Sequence, residues 1–228
     1  MKVFSYRGLS TIMTDMNSTC PLCEGQEIKL FHTAKNNRKF FRCNTCSLTF
    51  LDRAQRLTPE EEKKRYDTHN NDPQDKKYRN FLNRLRQPML KHLKPGAKGL
   101  DFGSGPGPTL SLMFNEQGFP TKHYDPIYEP DNSLLKETYD FISCSEVAEH
   151  MYEPHKEFKL LKDLLNPGGI LGVMTKIMGN DSDFADWHYA QDPTHVCFYK
   201  KEVFNWISTS FALDIISQEK NIVIFQKQ

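Results

Sequence analysis

The chain has 228 residues, 38% of them hydrophobic and 26% charged, with 30 basic against 29 acidic side chains. That length suits one domain of ordinary size plus a small appendage, and 16 Phe with 9 Tyr exclude disorder of the whole chain. The balanced charge gives no global pull toward nucleic acid or anionic membrane, and no stretch approaches the ~20 apolar residues that span a bilayer.

Residues 1–17 have neither a continuous apolar core nor a small-residue cleavage site, so they are expected to be a disordered or extended N-terminus of a cytoplasmic protein rather than a signal peptide. Residues 18–56 carry four of the six cysteines, in two CxxC pairs: Cys20 with Cys23 and Cys43 with Cys46. Each two-residue gap lets both sulfurs turn onto one ion, and a hairpin between the pairs completes a closed tetrahedral site of the structural zinc type. Short strands are predicted at Ile28–His32, Lys39–Arg42 and Ser47–Leu51, with a polar turn at Lys35–Arg38 and a tight turn at Gly25. The segment resembles the zinc ribbons at the N-termini of several methyltransferase groups.

Residues 57–95 read as a helical linker. Thr58 as N-cap, Pro59 at the first helical position and Glu60, Glu61 and Glu62 in the first turn mark a helix start. After a polar break, Tyr78, Phe81, Leu82, Leu85, Met89 and Leu93 recur at helical spacing, and Pro88 is expected to kink or split that helix. Lys76 to Lys98 holds eight basic residues and no acidic one. Such a run could grip RNA phosphates, but stacking aromatics are not interleaved on its charged face, and a solvated helix face is favoured.

In residues 96–228 a short apolar strand runs into Asp101, Phe102, Gly103, Ser104, Gly105, Pro106, Gly107 and Pro108, and a helix is expected after it. Glycines let the backbone approach a ligand closely. A dinucleotide loop would place a third glycine where Pro108 stands. The (D/E)xGxGxG pattern with Asp101 instead resembles motif I of the class I S-adenosylmethionine-dependent methyltransferases. The following features fall in that family's order: a strand ending at Asp125 and Pro126, a strand from Tyr139 to Ser145 and Glu146, a leucine-rich helix stopping at Asn166-Pro167-Gly168-Gly169, a strand from Ile170, and a closing hairpin at 212–216 and 221–225.

The resemblance implies an α/β, Rossmann-like sheet with an antiparallel last strand, beside a small N-terminal four-cysteine zinc ribbon. It implies S-adenosylmethionine bound by Asp101, Phe102, Gly103, Ser104, Gly105, Pro106, Asp125, Pro126, Ser145 and Glu146, with Asp125 accepting from the ribose hydroxyls. Only 14 residues separate Asp125 from Asp140, so the third strand must be cut short, and no acidic partner for the adenine is assigned.

Three places could carry chemistry. Glu146-Val147-Ala148-Glu149-His150 resembles the metal-binding string of the ubiquinone-pathway O-methyltransferases, which makes a divalent metal at Glu146, Glu149 and His150 a candidate if a helix gathers them on one face. The alternative is a capping Glu146 and a His150 packed beside the cofactor. Trp187-His188-Tyr189-Ala190-Gln191-Asp192-Pro193-Thr194-His195 resembles a string in bacterial methyltransferase-domain proteins of unassigned substrate. There His188 or His195 could be the general base, with Trp187 and Tyr189 walling the acceptor, or Asp192 could simply orient His195 in a rigid loop. Tyr66, Tyr78 and Arg79 are placed as a lid. The leading expectation is methyl transfer to a small-molecule acceptor; the alternatives are an RNA methyltransferase and a non-catalytic zinc-ribbon interaction protein.

Overall fold

The computed structural model describes residues 19–68 and 71–228. The extended N-terminus expected at 1–17 lies outside the described residues.

The N-terminal unit is a three-strand meander, β1 (Ile28–Thr33), β2 (Lys39–Cys43) and β3 (Thr49–Leu51), each antiparallel to the next. The turn expected at Lys35–Arg38 closes with Asn37 at φ +63°. The tight turn after the first cysteine pair falls one residue early, with Glu24 at φ +58°. Gly25 instead serves close packing, because a Cβ there would lie 3.3 Å from the Cys23 sulfur.

Helix α1 (Pro59–Tyr66) begins at Thr58 with a full capping box, in which the Thr58 hydroxyl accepts from Glu61 N–H and the Glu61 carboxylate accepts from Thr58 N–H. Helix α2 (Lys76–Leu90) runs unbroken through Pro88, contrary to the expected kink. Pro88 has no N–H to give the Arg84 carbonyl, but only two helical residues follow it, so the loss is confined to the end of the helix. Leu82, Leu85 and Met89 form its buried stripe, and Met89 lies where a Cβ on Gly172 would be, 2.3 Å from its sulfur.

The central sheet has the order β5-β4-β6-β7-β10-β9, from β4 (Gly99–Phe102), β5 (Thr121–Tyr124), β6 (Tyr139–Ser145), β7 (Leu165–Met174), β9 (Leu213–Glu219) and β10 (Ile222–Lys227). Strands β4 to β7 are parallel, and β10 is antiparallel to both β7 and β9, which is the expected closing hairpin. Helices α3 (Thr109–Asn115), α4 (Pro154–Leu164) and α6 (Lys201–Phe211) flank the sheet, and α5 is a single turn at His188–Gln191. Between Asp125 and Tyr139 a third strand is reduced to a bridge between Asp125 and Glu129 and a 3-10 turn at Leu134–Lys136. Strand β7 starts at Leu165, ahead of the Pro-Gly-Gly turn rather than after it, and its pairing with β6 is irregular there.

The meander is not a pendant. Its sheet has a fourth strand, β8 (Cys197–Phe198), which comes from the C-terminal half of the chain and pairs antiparallel with β3. Leu22, Phe40, Leu48 and Phe50 belong to the same buried cluster as Phe158, Phe198, Tyr199 and Phe204. No helix of the described residues is long and apolar enough to cross a membrane.

Candidate functional site

The carboxyl ends of β4, β5 and β6 open onto a cavity of about 1010 Å³. Phe102, Gly103, Ser104, Gly105, Pro106, Asp125, Pro126, Ser145 and Glu146 all line it, as expected of a cofactor cleft. Asp101 does not line it. It lies beneath the loop, where the Ser143 hydroxyl donates to its Oδ1 at 2.8 Å, and burial pushes its carboxyl up to about 6.

The loop's conformation requires its glycines. Gly103 has φ +75° and a Cβ there would fall 2.5 Å from Val147, while Gly105 has φ +64°. Gly105 N–H donates to Asp125 Oδ2 at 2.8 Å, and Asp125 Oδ1 accepts from the N–H groups of Ile127 and Tyr128. One carboxylate thereby fixes both the glycine loop and the turn after β5, and Oδ2, with a single bond, has acceptor capacity left for a ligand hydroxyl. The Ser145 hydroxyl is buried and has no hydrogen-bond partner.

Tyr66 and Tyr78 also line the cavity. Tyr66 donates to Glu62 at 2.6 Å, and its ring stands edge-on to His150 with centroids 5.3 Å apart. Arg79 is outside the cavity, ion-paired with Glu116.

The floor beyond the loop is polar. Glu146 is not on a helix as the ExxEH reading required. It follows β6 with φ +52°, and only a 3-10 turn at Ala148–His150 precedes α4, which starts at Pro154. Glu146 lies beside Glu149 but does not join the cluster of ligand-capable atoms that contains His150. Glu149, His150 and His195 converge instead, with ligand-capable atoms all within 4.8 Å of one another. Glu149 is fully buried and neither carboxylate oxygen has a hydrogen-bond partner. His150 Nε2 lies 4.0 Å from Glu149 Oε1. Burial and the adjacent Glu149 raise Glu146 to about 8, and burial with the neighbouring His150 lowers His195 to about 4.

The aromatic loop divides. His195 and Asp192 line the cavity, but His188, Trp187 and Tyr189 do not. His188 Nε2 is 2.7 Å from Lys176 Nζ, on the exposed side. Trp187 packs on Phe184 and Phe198 in the aromatic core, and Tyr189 is buried behind His195, its hydroxyl 3.1 Å from Thr175 Oγ1. Apolar burial of these rings outcompetes a role as cavity wall. Asp192 does not bond the His195 imidazole. Its Oδ1 accepts from Thr194 and its Oδ2 from Arg65, and the His195 Nδ1 lies 2.6 Å from the Tyr189 carbonyl.

One residue that carries this loop has no sequence signal. Arg38, in the polar turn of the meander, donates to the carbonyls of Ala190, Asp192 and His195 at 3.0–3.1 Å. Its partners are more than 150 residues downstream. A second cavity of about 400 Å³, lined by Arg84, Lys91, His92 and Lys176, shares Phe81 and Glu146 with the first.

The four cysteines of the meander also converge. All four sulfurs lie within 4.8 Å of one another, with Cys20–Cys46 at 3.5 Å and Cys23–Cys43 at 3.4 Å, and none forms a disulfide. Bonds of ~2.3 Å in a tetrahedral zinc thiolate place sulfurs about 3.8 Å apart, so the donor set fits that ion.

Residues 74–218 match the family model described as Methyltransferase domain. A stretch of 77 residues is 29% identical to the ubiquinone biosynthesis O-methyltransferase of Aeromonas salmonicida (strain A449), covering 34% of this chain and about a third of that curated relative (32%). Among solved structures, the Burkholderia thailandensis 1,6-didemethyltoxoflavin-N1-methyltransferase, which holds 1,6-didemethyltoxoflavin and S-adenosylhomocysteine, aligns with a TM-score of 0.55 at 11% identity, over 86% of this chain and 98% of that one. An O-methyltransferase family protein from the same organism aligns at 0.52 and 15% identity, over 77% of this chain and 65% of the other. At these identities the likeness is one of fold.

Proposed function

This chain belongs to the methyltransferase domain family, and from that premise we propose that it transfers the methyl group of S-adenosylmethionine to a small-molecule acceptor, with a structural zinc ion in the four-cysteine cluster. The observation that carries the reading is the bond from Gly105 N–H to Asp125 Oδ2 at the head of the large cavity. That contact presets the loop and holds a carboxylate where ribose hydroxyls would donate. A further feature fits the same group: the buried Ser145 hydroxyl, which lines the cavity, lacks a hydrogen-bond partner among the described residues. The bound S-adenosylhomocysteine of the toxoflavin-precursor methyltransferase supports the choice of donor.

When bound, the sulfonium supplies an already activated methyl group for in-line displacement. The chain's own task is then alignment and exclusion of water. Tyr66, Tyr78 and Tyr152 wall the cavity on the linker side, and the floor of Glu146, Glu149, His150 and His195 gives an acceptor polar contacts and a place for its proton. The basic run of α2 does not offer an unbroken face to RNA, because Arg79 is paired with Glu116 and Arg86 is buried and donates to the Met113 carbonyl.

Calorimetric titration with S-adenosylhomocysteine, with NADH as control, tests the donor. Binding is expected for the wild type and at least about tenfold weakening for Asp125→Ala, equivalent to ~1.4 kcal/mol. A titration that gives no heat with S-adenosylhomocysteine would remove the enzymatic reading.

A further inference from the structure

We propose that Glu149, His150 and His195 form a binding site for a divalent transition-metal ion at the floor of the cavity, and that Glu146 is not one of its ligands. The ExxEH resemblance implied a different set, with Glu146 in place of His195, and the two sets make opposite predictions for those residues.

The first support is the unpartnered carboxylate. Glu149 is 0% exposed, and both of its oxygens lack hydrogen bonds. The neighbouring Tyr189 and Thr175 hydroxyls bond each other at 3.1 Å, which uses one of their two O–H groups and leaves the other beside the carboxylate. A bare buried carboxylate is costly to keep, and buried charges are ordinarily paired or bound to metal.

The second support is the orientation of the imidazoles. His150 Nδ1 lies 3.0 Å from the Thr194 carbonyl, and His195 Nδ1 lies 2.6 Å from the Tyr189 carbonyl. A carbonyl only accepts, so both Nδ1 atoms carry the proton, and in the neutral ring Nε2 is then the nitrogen with metal-binding character. Donation of one ring N–H to a backbone carbonyl, with the other nitrogen turned to the ion, is the usual arrangement of metal-binding histidines.

The third support is the rigidity of the frame. Val196 N–H donates to the Glu149 carbonyl at 2.8 Å, which ties the loop carrying His195 directly to the turn carrying Glu149 and His150. Arg38 pins the His195 carbonyl from the other side. Three protein ligands leave coordination positions open toward the cavity, which favours an acceptor bearing a ligating oxygen. Two nitrogens and one carboxylate suit manganese, iron, cobalt or zinc better than magnesium, which prefers an all-oxygen shell.

The decisive experiment is titration with Mn(II), followed by the electron paramagnetic resonance of the free ion, on full-length protein with its cysteine cluster already loaded with zinc. Manganese is chosen because the thiolates do not compete for it. The wild type is expected to bind one Mn(II) per chain. His195→Ala and Glu149→Gln should each weaken binding at least about tenfold. Glu146→Gln and His188→Ala should leave it within about twofold, so Glu146 separates the two ligand sets. A wild-type circular dichroism spectrum and melting temperature certify the fold of each variant, and His195→Asn and His150→Gln replace any that fails. Absence of stoichiometric Mn(II) and Co(II) binding in the wild type overturns the proposal, as does loss of binding in Glu146→Gln equal to that in His195→Ala. The ion is read with no methyl donor present, so failure of the metal site and failure of the donor reading are separate results.

Discussion

Asp101 shows how a single side chain in the loop strand trades stability for position. It is buried beneath the glycine turn, and burial raises its carboxyl to about 6 despite the Ser143 hydroxyl bond. The folded state therefore keeps a proton that the unfolded chain, with a carboxyl near ~3.9, releases earlier. The stabilisation this gives is full below about pH 4 and is lost as the pH rises through about 6, by as much as ~3 kcal/mol. Urea unfolding of wild type and Asp101→Asn between pH 4 and 7 should show the wild type falling more steeply, and parallel profiles would refute it. The (D/E)xGxGxG pattern announced this residue but placed it on the ligand. The structure puts it one layer below, as support for the turn that Asp125 completes.

At the scale of elements, legibility followed the range of the interactions. Local patterns translated directly: the Thr58 capping box, the short strands and polar turn of the meander and the glycine turn depend on neighbours in sequence. The shortened third strand was also readable, because 14 residues between Asp125 and Asp140 cannot hold a strand and two helices. Features that depend on distant partners were not readable. Two-residue β8 has no periodicity of its own, and the reversal at Glu146 replaces the helix that would have joined it to His150. The cap is a place to test the linker as a lid. Thr58→Ala should destabilise α1 by ~1 kcal/mol and weaken cofactor binding several-fold by loosening Tyr66, with Thr58→Ser close to wild type. An unchanged affinity in the alanine variant would make α1 a spacer only.

At the scale of the molecule, the cysteine cluster and the cavity are mechanically one object. The meander reaches the loop that carries His195 through β3–β8 pairing, through Leu51 N–H to the Val196 carbonyl at 2.8 Å and through the three Arg38 bonds. On the zinc reading proposed above, the four-cysteine unit would depend on the ion for its folding. Cys43→Ser, or zinc chelation, should lower the melting temperature by on the order of 10 °C and abolish methyl transfer, although no cysteine of the cluster lines the cavity. Faster amide exchange at Leu51 and Val196 should accompany the loss. A core that keeps its melting temperature and activity would show the two parts to be independent. Arg38→Ala, with the cluster intact, should lower turnover with little effect on cofactor affinity, because its bonds reach the loop and not the glycine turn.

The borrowed strand also sets an order of events during synthesis. Residues 20–46 leave the ribosome well before β8 and could gather the proposed ion at once, but the strand that covers the β3 edge is more than 150 residues behind them. Until it arrives, the meander displays an open edge with Phe50 beside it, and open edges recruit other chains. A fragment ending soon after residue 56 is therefore expected to be metal-loaded yet prone to self-association. Supplying the remaining chain in trans should suppress that self-association by occupying the edge.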